Sequence, residues 1–135
     1  MITAVDTHVV LDIFGADAKF GPGSKAALKR CLGEGALLAC DVVWIETATA
    51  FPEEQTFLAG MQTLDVTFSP INQEAALVAA KAWRKYRNER GKRQRVAADF
   101  LIGAHALSQC DRLLTRDTGF YKEYFGKIRI VDPSI

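Results

Sequence analysis

Short apolar runs alternate with helical segments along almost the whole chain, and this alternation constrains the fold more than any other feature. Ile2-Thr3-Ala4-Val5, Leu37-Leu38-Ala39, Val66-Thr67-Phe68, Arg112-Leu113-Leu114-Thr115 and Lys127-Ile128-Arg129-Ile130-Val131 each have strand length. Ser24 to Leu32 reads as a helix closed by Gly33-Glu34-Gly35. Asp41 or a neighbour is placed to cap a helix through Val42 to Ala48, and Pro52-Glu53-Glu54 to open another, with proline and acids suited to a first turn. From Asn72 onward Ala75, Ala79, Ala82 and Tyr86 recur at three- and four-residue steps, so they share one helical face. Trp83 continues that apolar face. Gly91 ends this helix, and a further one runs from about Ala97 to Gln109. Strands separated by helices predict an α/β fold with a central parallel sheet of about five short strands, flanked by helices on both faces.

The chain has 135 residues, a length that suits a single domain spanning 1–135. It is 49% hydrophobic and 24% charged, a balance that argues against disorder. No apolar run is long enough for a bilayer, and Met1-Ile2-Thr3-Ala4-Val5-Asp6 lacks the basic and apolar parts of a signal peptide. A cytoplasmic location with no membrane contact is the expectation. Cys31, Cys40 and Cys110 form neither a zinc spacing nor a disulfide framework, and are read as reduced, at least partly buried side chains.

Net charge is only +1, but it is unevenly distributed. Seven basic residues and one acid lie between Arg84 and Arg95, a local balance of +6. Arg87, Arg90, Lys92, Arg93 and Arg95 surround Gly91, just ahead of the helix that carries Asp99. They are candidates for holding phosphates that nearby acids would repel. A solvated helix end is the structural alternative.

Parallel sheets place ligands beyond the carboxyl ends of their strands. Asp6 follows the first strand directly, and Asp117 lies two residues past the fourth. Glu46 and Asp99 interrupt helices that are otherwise apolar. Each has a simpler reading: Asp6 as a helix cap, Glu46 on a solvent-facing side, Asp99 as a first-turn acid, Asp117 as a turn residue. Were all four to converge on one cleft, their repulsion would be relieved by a hard divalent cation, and Mg²⁺ prefers carboxylate oxygens with retained waters. Such an ion can activate water and stabilise a phosphate undergoing in-line displacement.

Four segments carry a family resemblance. Val5-Asp6-Thr7-His8-Val9-Val10-Leu11 resembles the opening motif of PIN domains, and Val42-Val43-Trp44-Ile45-Glu46 their second. Asp99-Phe100-Leu101-Ile102-Gly103-Ala104-His105-Ala106 resembles the third. Leu114-Thr115-Arg116-Asp117-Thr118-Gly119-Phe120, followed by Ile130-Val131-Asp132-Pro133, resembles the fourth and the family's ending. The motifs occur in order from Ile2 to Pro133. Length and the basic stretch before Asp99 extend the resemblance to VapC toxins of toxin–antitoxin pairs. It implies a PIN-like three-layer sandwich and an endoribonuclease dependent on Mg²⁺ or Mn²⁺. Asp6, Glu46, Asp99 and Asp117 would bind the metal, with Thr115 as a supporting hydroxyl. A homodimer and a cognate antitoxin protein are the implied partners, the antitoxin in an apolar groove near Phe14 and Phe51. His8 departs from the pattern, which more often has a small polar residue there; His105 is read as a core or surface histidine without a catalytic part.

Other chemistries fit less well. A phosphoaspartate phosphatase needs a second aspartate where His8 stands. A receiver domain needs a phosphoacceptor aspartate where Ser69-Pro70 follow the third strand. A dinucleotide site needs a glycine-rich turn that is absent after the first strand. A catalytically silent PIN fold serving as an RNA- or protein-binding module is the remaining alternative.

Overall fold

The computed structural model describes residues 1–90 and 97–134, without the side chain of Arg90. Five strands and seven helices follow in the order β1 (Ile2–Val5), α1 (Thr7–Phe14), α2 (Gly21–Glu34), β2 (Ala36–Ala39), α3 (Asp41–Ala48), α4 (Glu54–Thr63), β3 (Val66–Phe68), α5 (Gln73–Arg90), α6 (Ala97–Gln109), β4 (Arg112–Leu114), α7 (Thr118–Tyr124) and β5 (Ile130–Val131). Every strand pair is parallel, and the order across the sheet is β3-β2-β1-β4-β5. The first strand is therefore the central one. The chain steps from β1 to β2 and β3 in one direction, then returns to β4 and β5 on the other side of β1. Right-handed crossovers put the helices of those two excursions on opposite faces of the sheet.

The core explains why so short a set of strands holds together. Ala4, Val5, Leu37, Ala39, Leu113 and Leu114 are buried in the sheet. Ala75, Ala79, Ala82 and Tyr86 form the buried face of α5, as their spacing predicts. Phe100 lies at the middle of an aromatic cluster with Trp83, Tyr86, Phe120, Tyr124 and Phe125. Gly103 lets α6 approach Phe125: a Cβ there would lie 2.5 Å from the ring. No described helix is long and apolar enough to cross a membrane.

Several local expectations are revised. Helix α2 starts at Gly21 rather than Ser24, because Pro22 is accommodated in its first turn, where a missing N–H costs nothing. Of Asp41 and its neighbours, Cys40 takes the cap position of α3, and Asp41 is a first-turn acid. Pro52 lies outside α4, whose cap position is Glu53. The fifth strand is only Ile130–Val131, limited by its pairing with Leu113 and Leu114. Helix α7 was not anticipated, and α1 entered only as the helix that Asp6 could cap. Phe14 and Phe51 are half-buried and meet edge to face, with centroids 5.1 Å apart.

Burial pushes the thiols of Cys40 and Cys110 up to about 11 and about 12, so both stay protonated. His105 is buried, its Nε2 is 2.9 Å from Ser69 Oγ, and burial lowers its pKa. It is thus a core histidine.

Candidate active site

The reversal of strand order around β1 leaves a crevice at the carboxyl ends of β1 and β4, where ligands of such sheets bind. Asp6 stands there as the first residue past β1. Its backbone N–H still donates to Leu114 O of β4, at 3.0 Å, so the sheet sets its position. Its side chain caps α1, with Oδ1 accepting from the Thr7 N–H at 2.8 Å. The simple reading of Asp6 as a helix cap is thus correct, but it accounts for one oxygen only. The other, Oδ2, accepts from the Thr115 hydroxyl at 2.6 Å.

Thr115 is fully buried just past β4, and its Oγ1 also accepts from the Asp117 N–H at 3.0 Å. One hydroxyl therefore joins the end of β1 to the turn that carries Asp117. Glu46 is reached from the other side. The Thr7 hydroxyl donates to Glu46 Oε1 at 2.6 Å, although Glu46 itself is exposed on α3. Asp99 is half-buried in the first turn of α6, a helix that packs on β1, β4 and α3, the elements beside the other acids.

Asp6 is 5% exposed, and burial raises its pKa above the ordinary aspartate value. Hydrogen bonds from Thr115 and Thr7 and the charge of His8 act in the opposite direction, while Asp117 raises it further. A buried carboxyl with a second carboxylate close enough to repel it is a setting a cation would relieve. Among the described residues no three His, Cys, Asp or Glu side chains are gathered tightly enough to form a ligand set alone. A magnesium-like ion does not require one, since it commonly takes one or two carboxylates and completes its shell with water and substrate phosphate. The oxygen-only donors around Asp6 and Asp117 fit such an ion.

Thr7, Asp12, Ser24 and Arg116 were missed by the reading of the sequence. Asp12 carried a signal, being an acid inside the apolar stretch Val9 to Phe14, the same signal that singled out Glu46 and Asp99. Thr7 carried little beyond its place next to Asp6. Of the basic segment, Lys92, Arg93 and Arg95 and the side chain of Arg90 lie outside the described residues. Arg87 is exposed, with its guanidinium 5.8 Å from the centre of the Trp83 ring. Together with Arg84 and Asn88, these two residues line a cavity of about 490 Å³.

Residues 3–125 match the PIN domain family. The chain belongs to the PIN-domain family. Its sheet and flanking helices are the three-layer PIN fold. Solved PIN-fold chains align over most or all of this one. A chain in the structure of VapBC2 from Rickettsia felis, bound to a DNA fragment from its promoter, is 13% identical, with a TM-score of 0.74 and 98% of both chains covered. VapBC-1 from nontypeable Haemophilus influenzae supplies another, at 17% identity and a TM-score of 0.74, covering 100% of both. Mycobacterium tuberculosis VapC20, a sarcin-ricin loop cleaving toxin, is 14% identical with a TM-score of 0.55, covering 82% of this chain and 86% of that one. At these identities the likeness is one of fold. No curated protein sequence matches the chain.

Proposed function

We propose that this PIN domain is a divalent-cation-dependent endoribonuclease and the toxin of a type II toxin–antitoxin pair. The observation that carries the reading is the buried Asp6, tied by the Thr115 hydroxyl to the Asp117 turn and through Thr7 to Glu46, at the carboxyl ends of β1 and β4. Asp6 and Asp117 would hold Mg²⁺ or Mn²⁺, with Glu46 and Asp99 completing the acidic wall through water. The bound ion would supply an activated water and neutralise charge on the scissile phosphate. Thr115, through its hydroxyl on Asp6 Oδ2, would fix the carboxylate for that role. The basic residues Arg87, Arg90, Lys92, Arg93 and Arg95 would bind the RNA backbone away from the chemical step. An antitoxin protein is a proposed partner, supported by the fold shared with chains of the VapBC complexes, and a second copy of the chain is another.

The deciding comparison is wild type against Asp6→Asn and Asp99→Asn, purified free of contaminating nuclease. Wild type should cleave RNA only with Mg²⁺ or Mn²⁺ and should arrest growth when expressed without its partner. Both variants should fold and do neither. Full cleavage by Asp6→Asn would refute the catalytic assignment, and a wild-type protein that binds RNA without cutting it would make the chain a binding module.

A further inference from the structure

The turn between β4 and α7 is held at two places. Thr115 reaches into the crevice to Asp6, the cap of α1. The next residue, Arg116, reaches to Asp12, in the same helix. Its Nε donates to Asp12 Oδ2 at 2.8 Å and its Nη2 to Oδ1 at 3.1 Å, a forked pair that occupies both carboxylate oxygens. The Asp12 side chain is only 7% exposed and that of Arg116 27% exposed. Ser24 Oγ, buried in α2, donates to Asp12 Oδ2 at 2.9 Å. Phe20, at the cap position of α2, has its ring centre 3.9 Å from the guanidinium carbon.

We infer that Arg116 is a positioning residue, clamped by Asp12, Ser24 and Phe20, that fixes the Thr115–Asp117 turn against α1 so that Asp117 is presented beside Asp6. The inference rests on the cation-dependent reading of that pair. The geometry favours it over a simple stabilising ion pair. A buried acid needs compensation, but any cation of suitable reach would provide it. A planar fork on both oxygens, with one face against an aromatic ring, also fixes direction. Arg116 lies between the two residues whose placement matters, and its anchor is on the helix capped by Asp6. The turn therefore cannot rotate about its bond to Asp6 without breaking the grip on Asp12.

The test measures Mn²⁺ affinity of the RNA-free protein by calorimetry, together with melting temperature and with kcat and KM for RNA cleavage. Arg116→Lys keeps the charge opposite Asp12 and loses the fork. Its Mn²⁺ affinity should fall about tenfold, as for other residues that orient metal ligands from behind, and kcat should fall with KM little changed. Arg116→Met should also lose melting temperature, because it strands a buried charge. The pair Asp12→Asn and Arg116→Met removes both charges, while the introduced side-chain amide can still accept from Ser24. It should recover the melting temperature but not the Mn²⁺ affinity or kcat.

A purely structural role predicts that activity returns with stability. Wild-type Mn²⁺ affinity in Arg116→Lys, or in the double variant, would overturn the inference. Asp6→Asn serves as the control. If it loses Mn²⁺ while the Arg116 variants keep it, only the positioning role fails; if it binds Mn²⁺ like wild type, the cation reading itself fails, and the inference with it.

Discussion

Replacing Thr115 by valine preserves the shape of a fully buried side chain and removes only its hydroxyl. Two groups then lose a partner: the Asp6 carboxylate, 2.6 Å away, and the Asp117 N–H, 3.0 Å away. A hydrogen bond to a charged acceptor contributes about 1.5–3 kcal/mol and a neutral one about 0.5–1.5 kcal/mol, so the variant should lose roughly 2–4 kcal/mol at neutral pH. For a domain of this size that is a fall in Tm of about 6–16 °C. The deficit should depend on pH. The folded pKa of Asp6 is raised, so its contribution to stability is fully present below the unfolded value and is lost as pH rises through the folded value. The Thr115 hydroxyl favours the anion, and without it the folded value rises further and more stability is lost. The gap between wild type and variant should therefore widen from about pH 4 to pH 7, the range above the ordinary aspartate value. Urea denaturation across that range measures it. Thr115→Ser keeps the hydroxyl and should show a deficit of about 1 kcal/mol, for the lost methyl, that does not change with pH. A valine variant as stable as wild type at pH 7, or a deficit independent of pH, would refute the reasoning.

Gly103→Ala should destabilise by about 1–3 kcal/mol, since the new Cβ would meet the buried Phe125 ring at 2.5 Å and push it out of its packing; calorimetry showing an unchanged Tm would contradict this packing. Neutralising Arg90, Lys92, Arg93 and Arg95 together should weaken RNA binding and flatten its dependence on salt by roughly 0.7 per lost phosphate contact, measured in an Asp6→Asn background so that the RNA survives. An unchanged affinity and slope would place RNA binding elsewhere.

The parallel sheet was legible because its strands are short apolar runs separated by helices, and α5 because four buried residues repeat at helical spacing. Helix α1 was legible only through Asp6 as a candidate cap. Its residues Val9, Val10 and Leu11 form a continuous apolar run next to a strand, and such a run has no period that separates helix from strand. Helix α7 has seven residues, too few to show a face. At the site, Asp6 and Asp117 could be found because the topology of parallel sheets marks strand ends. What joins them could not. Thr115 reaches Asp6 across 109 residues of sequence and Arg116 reaches Asp12 across 104, and no local pattern records such pairings. Asp12 illustrates the cost of ambiguity: it is an acid inside an apolar helix, as Glu46 and Asp99 are, yet it binds an arginine of its own chain.

The central place of β1 has a consequence for how the protein is made. β1, made before the other described strands, pairs on one side with β2 and on the other with β4, so the sheet stays open along that second edge until Arg112–Leu114 have emerged. Asp6 meets Thr115 across 109 residues, which at ~5–20 residues per second takes ~5–20 s of translation. Contacts so distant in sequence also slow folding, because the entropy of closing the loop is lost before the pairing compensates for it. A nascent chain that has left the ribosome only as far as α6 holds Asp6, Glu46 and Asp99 but neither Thr115 nor Asp117. Pairing of Asp6 with Thr115 is thereby timed to the emergence of β4 and the turn after it, and a chain broken off before β4 leaves Asp6 without that partner.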